Sequence, residues 1–507
     1  MKKILRFLTS RLFIFGICIF VQVLALVLMV LFLSQYGFYM YGAFTLMSFI
    51  TILYVVSKKD NPIFKLAWVT PIALFPLLGW FIYYLAGKNK ISKIKVERFK
   101  SIYKLTKSLT VQDETIINDL KENHCAISKQ VTYIKNTSFL PIYKNTITEY
   151  LSPGETFFKR LCEELEKAEK FIFMEYFIIQ KGEMWDRILD ILAKKVAHGV
   201  EVKMMYDDLG CINTVPTSYY KKIRDLGIAI HVFNVFKPSI DTFMNYRDHR
   251  KITVIDGNVG FTGGINLADE YINLVDRFGY WKDSSIMLKG EAVWSLSVLF
   301  LQMWQYYDYD DINYQKYRPT EHCHANGYVM PFGDGPLDDH LIGEMVYINM
   351  INNARNYISI TTPYLILDNE MITSLCCAAH SGIKVSIITP GNADKWYVHL
   401  VTRYNYQTLV EAGVEIFEYT GGFIHAKTVV CDDELAIVGT QNFDFRSFYL
   451  HFECGVFLHN TDSIAAIRKD HIDCFVSSKR ITLDECRNEN WFVRVLQSFL
   501  NLFSPLM

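Results

Sequence analysis

The sequence lacks net charge: Lys and Arg total 52 and Asp and Glu 53, a balance of −1. A protein held mainly by nucleic-acid phosphates would be basic, so the composition gives no support to a nucleic-acid partner. A cysteine framework is also missing. The 11 cysteines follow no regular spacing, and Cys18, Cys376 and Cys377 sit in apolar runs. They read as reduced thiols, which favours a body facing the cytosol. No G-x-G-x-x-G opens a helix, and Gly263-Gly264 reads as a turn after a strand rather than a dinucleotide fingerprint. The HCH run at 322–324 is too tight for one tetrahedral metal site. His198, His231, His380 and His399 read as surface or structural residues.

Long apolar runs are present. Residues 12–33, LFIFGICIFVQVLALVLMVLFL, hold one strongly polar side chain, Gln22. At 1.5 Å per residue they reach about 33 Å, enough to cross a bilayer. No A-x-A-like cleavage site follows, so the run reads as an anchor rather than a signal peptide. Further apolar runs cover 38–56 and 66–86. Lys2, Lys3, Arg6 and Arg11 hold the N-terminus inside, and two spans return Lys58, Lys59 and Lys65 inside. A third full span would carry the basic 88–100 segment outside, against the positive-inside rule. The third run contains Pro71, Pro76 and Gly79, and a re-entrant or interfacial hairpin there keeps the body cytosolic. The expectation is a multi-pass membrane protein with a cytoplasmic body.

The remaining chain divides by pattern. Residues 1–87 form the membrane anchor, and 88–139 a basic juxtamembrane connector suited to anionic headgroups. From 140 onward helical and strand patterns alternate, which predicts an α/β fold with sheets covered on both faces. The order recurs. ARNYISITTPYLI (354–366) parallels AEKFIFMEYFII (168–179), and LVEAGVEIFEY (409–419) parallels KIRDLGIAIHVF (222–233). Two tandem repeats follow, 140–315 and 341–480, with a Pro/Gly-rich joint at 316–340 and a C-terminal interfacial or packing helix in 481–507.

Each repeat carries H-x-K-x4-D-x6-G-x2-N: His249, Lys251, Asp256, Gly263 and Asn266, then His425, Lys427, Asp432, Gly439 and Asn442. If the His–Lys segment is a strand, His and Lys share a face and make a donor-rich spot beside a nucleophile. The Asp has the opposite parity and lies about 23 Å along an extended chain from its His. It therefore cannot orient that His, and holding the turn at the strand's end suits it better. Asp283 and Glu453, each in a strand-like stretch after its motif, are the candidates to orient an imidazole. Two halves packed about a pseudo-twofold axis would gather two His, two Lys and two Asn around one phosphate. One imidazole would attack phosphorus and the other protonate the leaving alkoxide, with no metal.

The paired HxKxxxxD motifs resemble the phospholipase D superfamily. TTPYLILDNEMITSL, GGFIHAKTVVCD and GTQNFDFRSFYLHFE, with NPIFKLAWVTPIALFPLLGWFIYYLAGKNK near the N-terminus, are similar to the bacterial cardiolipin synthases. The resemblance covers nearly all of the chain after about residue 38. It implies two phospholipase D-like α-β-α repeats with mixed sheets, and phosphatidyl transfer between two phosphatidylglycerol molecules to give cardiolipin and glycerol. It implies catalytic His249, Lys251, Asp256, His425, Lys427 and Asp432, phosphate contacts from Asn266 and Asn442, and neither metal nor organic cofactor. Gly264 stands where a Ser is frequent in the superfamily and Thr440 is its counterpart, so a hydroxyl contact to phosphate is expected on the second side alone. The competing readings are a hydrolase of the same superfamily and transfer to another acceptor.

Overall fold

The computed structural model describes residues 37–59, 61–87, 93–236, 245–308, 311–338 and 340–506, together with Phe20, Leu24 and Val27. The expected span 12–33 lies outside the described residues apart from those three positions. The chain divides into two compact units, one holding the N-terminal helices and one holding the body.

In the N-terminal unit the apolar run at 38–56 forms one helix, Gly37–Ser57. Among the described residues it is the one helix long and apolar enough to cross a membrane. The run at 66–86 does not continue as a single helix. It divides into Pro62–Leu74 and Pro76–Ile82, with a π turn at Tyr83–Gly87. Pro76 cannot donate to a helical ladder, and it forces the preceding Phe75 out of the α region, to φ −131° and ψ 78°. The first piece has 13 residues and reaches about 20 Å, short of a hydrocarbon core of about 30 Å. Gly79 permits the close return of the second piece, since a Cβ there would lie 2.3 Å from Pro71 O. Val55, Ile72 and Tyr83 close the small core of this unit.

The body is built on two sheets. The first holds β1 (Thr146–Leu151), β2 (Phe171–Tyr176), β3 (Glu201–Asp207), β4 (Ala229–Phe233), β6 (Ile252–Ile255), β7 (Val259–Gly263) and β9 (Ser285–Gly290). Between them in the chain fall two short strands, β5 (Arg247–Asp248) and β8 (Tyr280–Lys282). The second half supplies β10 (Tyr328–Asp334), β11 (Tyr357–Thr361), β12 (Lys384–Pro390), β13 (Glu415–Tyr419), β14 (Gly422–Ile424), β15 (Thr428–Cys431), β16 (Leu435–Gly439), β17 (His451–His459) and β18 (Ser478–Arg480). The strand orders are β1-β9-β7-β6-β2-β3-β4 and β10-β17-β16-β15-β11-β12-β13-β18. Read position by position the first seven strands correspond, so the sequence repeat is a repeat of topology. In each half three parallel strands (β2, β3, β4; β11, β12, β13) adjoin an antiparallel set that carries the motif.

The apolar pattern explains the layers. β2 is buried along its whole length, as strands covered on both faces are. Helix Gly154–Leu165 turns Phe157, Leu161 and Leu165 inward at four-residue spacing. Helix Val293–Tyr307 is buried continuously from Val293 to Trp304 and packs on β2, β6 and β10; an all-round apolar helix belongs in a core.

Two segments differ from the sequence reading. The expected juxtamembrane connector is part of the body beyond residue 114: helices Glu114–Asn123 and Cys125–Ser138 bury Ile116, Ile117, Leu120, Ile127, Val131 and Ile134 in the core of the second half. Gln130 Nε2 donates to Val346 O there at 3.0 Å. The joint at 316–340 contains β10, an edge strand of the second sheet paired with β17.

Candidate active site

The expected strand through each His–Lys pair is interrupted at the pair itself. β5 ends at Asp248 and β6 begins at Ile252, while β14 ends at Ile424 and β15 begins at Thr428. His249, Lys251, His425 and Lys427 thus lie in short extended links between strands of different sheets. The reason is visible in the pairing. β5 leaves its own half and runs parallel to the start of β17, with Arg247 opposite His451. β14 does the reciprocal thing and runs parallel to β8, with Ile424 opposite Lys282. The exchange continues one residue further: His249 N–H donates to Phe452 O at 2.9 Å and His425 N–H to Lys282 O at 2.7 Å.

That exchange decides which carboxylate meets which imidazole. Glu453, one residue after Phe452, takes His249 Nδ1 at 2.9 and 3.0 Å. Asp283, one residue after Lys282, takes His425 Nδ1 at 2.7 Å. Each imidazole is oriented by the acid that follows the other half's motif. With the proton held on Nδ1, the lone pair is left on Nε2. Phe177 lies 5.0 Å from the His249 ring, and Trp281 lies 5.2 Å from that of His425.

The site is nearly closed to water: His249 and His425 are each 7% exposed, and Lys251 and Lys427 each 2%. Burial pushes His249 down to about 3, against the pull of Glu453. Burial and then the Lys427 charge push His425 down to about 4. Both imidazoles are therefore neutral at neutral pH. Burial also lowers Lys251 to about 7 and Lys427 to about 8, and Lys251 feels the Lys427 charge from the other half. Burial alone would raise Glu453, but His249 beside it reverses the sign and holds the carboxyl well below its usual range. Ser447 Oγ donates to Glu453 at 2.8 Å, and Thr440 Oγ1 donates to its other oxygen.

The two motif aspartates do not reach this cluster, although the resemblance counts them as catalytic. Asp256 accepts from the N–H groups of Glu169, Lys170 and Phe171 at 2.7–2.8 Å. Asp432 accepts from Arg355, Asn356 and Tyr357 at 2.7–2.9 Å. Both residues have φ of 52°, the left-handed conformation that Asp and Asn tolerate best. They pin the turn after the motif strand to the loop before β2 or β11. Asp256→Ala is expected to cost about 1–3 kcal/mol of stability, read as a lower melting temperature, with surviving enzyme turning over at the normal rate. A fully folded Asp256→Ala protein without activity would contradict this role.

The hydroxyl expected on a phosphate is used elsewhere. Thr440 serves Glu453 and accepts Cys454 N–H at 3.0 Å. Gly264, its counterpart, is not a lost contact. A Cβ there would lie 2.2 Å from Asp283 Oδ1, so the glycine makes room for the acid that orients His425. Asn266 is held on both sides, accepting Ile178 N–H at 3.0 Å and donating to Tyr271 OH at 2.7 Å. Asn442 is buried, with its side-chain oxygen lacking a partner among the described residues.

Three contributors escaped the sequence reading. Arg250, inside the first motif, is fully engaged with Glu175 at 2.6 Å and Asp248 at 3.1 Å. The signal was Glu175, a lone acid in the apolar strand FIFMEY. Ser447 follows the second motif in a turn capped by Asp444. His451 stands two residues before Glu453 with Nδ1 3.6 Å from its Oε1.

A family profile described as cardiolipin synthase, PLD-like domain, matches residues 161–304 and again 347–472. A second, described as phospholipase D-nuclease N-terminal, matches 43–88. An uncharacterized protein of Streptococcus mutans is 41% identical over 461 residues, covering 90% of this chain and 99% of that one. A cardiolipin synthase of Halalkalibacterium halodurans is 33% identical over 475 residues, covering 92% and 94%. Among solved structures, phosphatidylserine synthase of Haemophilus influenzae superposes with a TM-score of 0.57 at 16% identity, covering 75% of this chain and 98% of that one. That likeness is one of fold.

Proposed function

The chain belongs to the cardiolipin synthases of the phospholipase D superfamily, and we propose that its two histidines divide one phosphatidyl transfer between them. The protein is a phosphatidyltransferase acting on phospholipids. The observation that carries the mechanism is the crossed pair of oriented imidazoles beside two buried lysines.

His249 Nε2 attacks the phosphorus of phosphatidylglycerol, so a P–N bond forms as the P–O bond to glycerol breaks. His425, which takes up a proton at Nε2 once the phosphate's negative charge enters the cleft, gives that proton to the departing glycerol oxygen. It then takes the proton of a terminal glycerol hydroxyl on a second phosphatidylglycerol, whose oxygen attacks phosphorus and breaks the P–N bond. Cardiolipin and free His249 result. Lys251 and Lys427 neutralise the non-bridging oxygens. Both lysines titrate near neutrality in the empty cleft, so an arriving phosphate supplies the countercharge that keeps them protonated.

The assignment of roles rests on the two acids. Glu453 spreads its charge over His249, Ser447 and Thr440, which suits an imidazole that starts neutral. Asp283 bonds His425, and among the described residues its other oxygen takes only the Ser284 N–H at 2.8 Å. Its more concentrated charge suits the imidazole that must carry a proton. Near-complete burial favours transfer over hydrolysis, because water is the abundant competitor.

The basic helix Lys93–Lys107 and the free cysteines favour a cytoplasmic body. The C-terminal helix Trp491–Asn501 exposes Trp491 (73%), Phe492 (63%), Val495 (57%) and Phe499 (59%), a face suited to the headgroup region. Brominated lipids are expected to quench the fluorescence of the intact protein more than that of its Trp491→Phe variant. Equal quenching would return the helix to water.

The test of function uses the full chain in detergent with labelled phosphatidylglycerol. Cardiolipin with equimolar glycerol is the expected result. Phosphatidic acid as the main product would make the protein a hydrolase.

A further inference from the structure

We propose that His249, His451 and Glu453 form a divalent-metal site, suited to zinc, whose occupation silences the enzyme by capturing the His249 imidazole. The silencing rests on the assignment of His249 above; the binding does not.

Each of the three side chains offers one donor atom, and these lie within 4.8 Å of one another with all three residues buried. His249 Nδ1 is 2.9 Å from Glu453 Oε1, and His451 Nδ1 is 3.6 Å from the same oxygen. Zinc bonds of about 2.0–2.2 Å place tetrahedral ligands about 3.3–3.5 Å apart, between those two separations. Two His and one Glu with an open fourth position is a set that zinc takes. His451 supplies the second observation. Its Nδ1 is buried and has no hydrogen-bond partner among the described residues, so a donor already faces Glu453 with nothing bonded to it.

The site belongs to one half only. The residue two before the orienting acid is His451 in the second half and Trp281 in the first. Each ring lies beside the imidazole that its acid orients, at 5.4 Å from His249 and 5.2 Å from His425. Tryptophan offers no ligand atom, so the His425 side cannot bind a metal in this way.

The chemistry involves no redox step. The metal takes the lone pair of His249 Nδ1 and displaces the proton shared with Glu453. That proton moves to Nε2 of the same ring, and the nitrogen that attacks phosphorus loses its lone pair. Magnesium, which prefers six oxygens, is excluded by the donor set.

The full chain in detergent is titrated with zinc against a chromogenic chelator, and turnover of phosphatidylglycerol is followed at the same free zinc. One zinc per chain is expected, with inhibition following occupancy. His451→Asn is expected to weaken binding at least about tenfold and to move the inhibition midpoint equally. His425→Ala is expected to bind zinc as the wild type does. Equal binding by wild type and His451→Asn overturns the site. If His451→Asn does not fold, cobalt decides: a d–d band saturating at one equivalent supports the site, and no band overturns it. A chain that makes cardiolipin but binds no zinc refutes the site alone, while one that binds zinc and makes no cardiolipin even when zinc-free refutes the function alone.

Discussion

Alanine at His249 and alanine at His425 are each expected to lower cardiolipin formation by at least about 10³-fold, but at different points of the reaction. Loss of His249 removes the atom that bonds to phosphorus. Loss of His425 removes the proton source for the leaving glycerol and the base for the second lipid. A phosphatidyl ester of p-nitrophenol separates these roles, because nitrophenolate leaves without a proton. His425→Ala should release one equivalent of nitrophenolate per chain as a burst and then stall as phosphatidyl-His249. His249→Ala should release none. The reverse pattern would move the nucleophile to His425, and bursts from both variants would end the covalent mechanism.

Several features of this site were legible from residue spacing because they depend on local geometry. Strand parity sets Asp256 and Asp432 apart from their own histidines, and both bind backbone N–H groups of another loop. The repeat could be read because each half restates the same apolar strands in the same order, and one strand order serves both sheets. Asp283 and Glu453 stood out as acids in strand-like stretches. Their crossing did not, because it depends on β5 and β14 leaving their own sheets to pair with the other half. A strand of two or three residues has too little periodicity to reveal its partner. The same exchange explains why the His–Lys segments are links rather than strands. Gly264 was misjudged for a related reason: its value lies in the space it leaves for Asp283, and that neighbour is distant in sequence. The helices of 114–138 read as a connector because their charged faces mask the isoleucines and valine that the second half buries.

The crossing itself gives the second large effect. Glu453→Gln and Asp283→Asn are each expected to slow cardiolipin formation by about 10²–10⁴-fold, since an amide no longer enforces the Nδ1–H tautomer or stabilises an imidazolium. The nitrophenyl substrate again distinguishes them. Its burst needs an oriented His249 and no general acid, so Glu453→Gln should slow the burst and Asp283→Asn should leave it intact. Pairing within a half would predict the opposite, because Asp283 would then serve His249. Gly264→Ser approaches Asp283 from the other side. Its Cβ requires the carboxylate to shift from a 2.2 Å contact, which frees His425 from its 2.7 Å bond. The variant should therefore copy Asp283→Asn: slow synthesis with a normal burst. Thr440→Ala, at the matching position, removes a donor to Glu453 and should slow the burst instead. Two substitutions at equivalent positions of the repeat would then fail at opposite steps, Gly264→Ser after the burst and Thr440→Ala before it, whereas an uncrossed site would exchange the two.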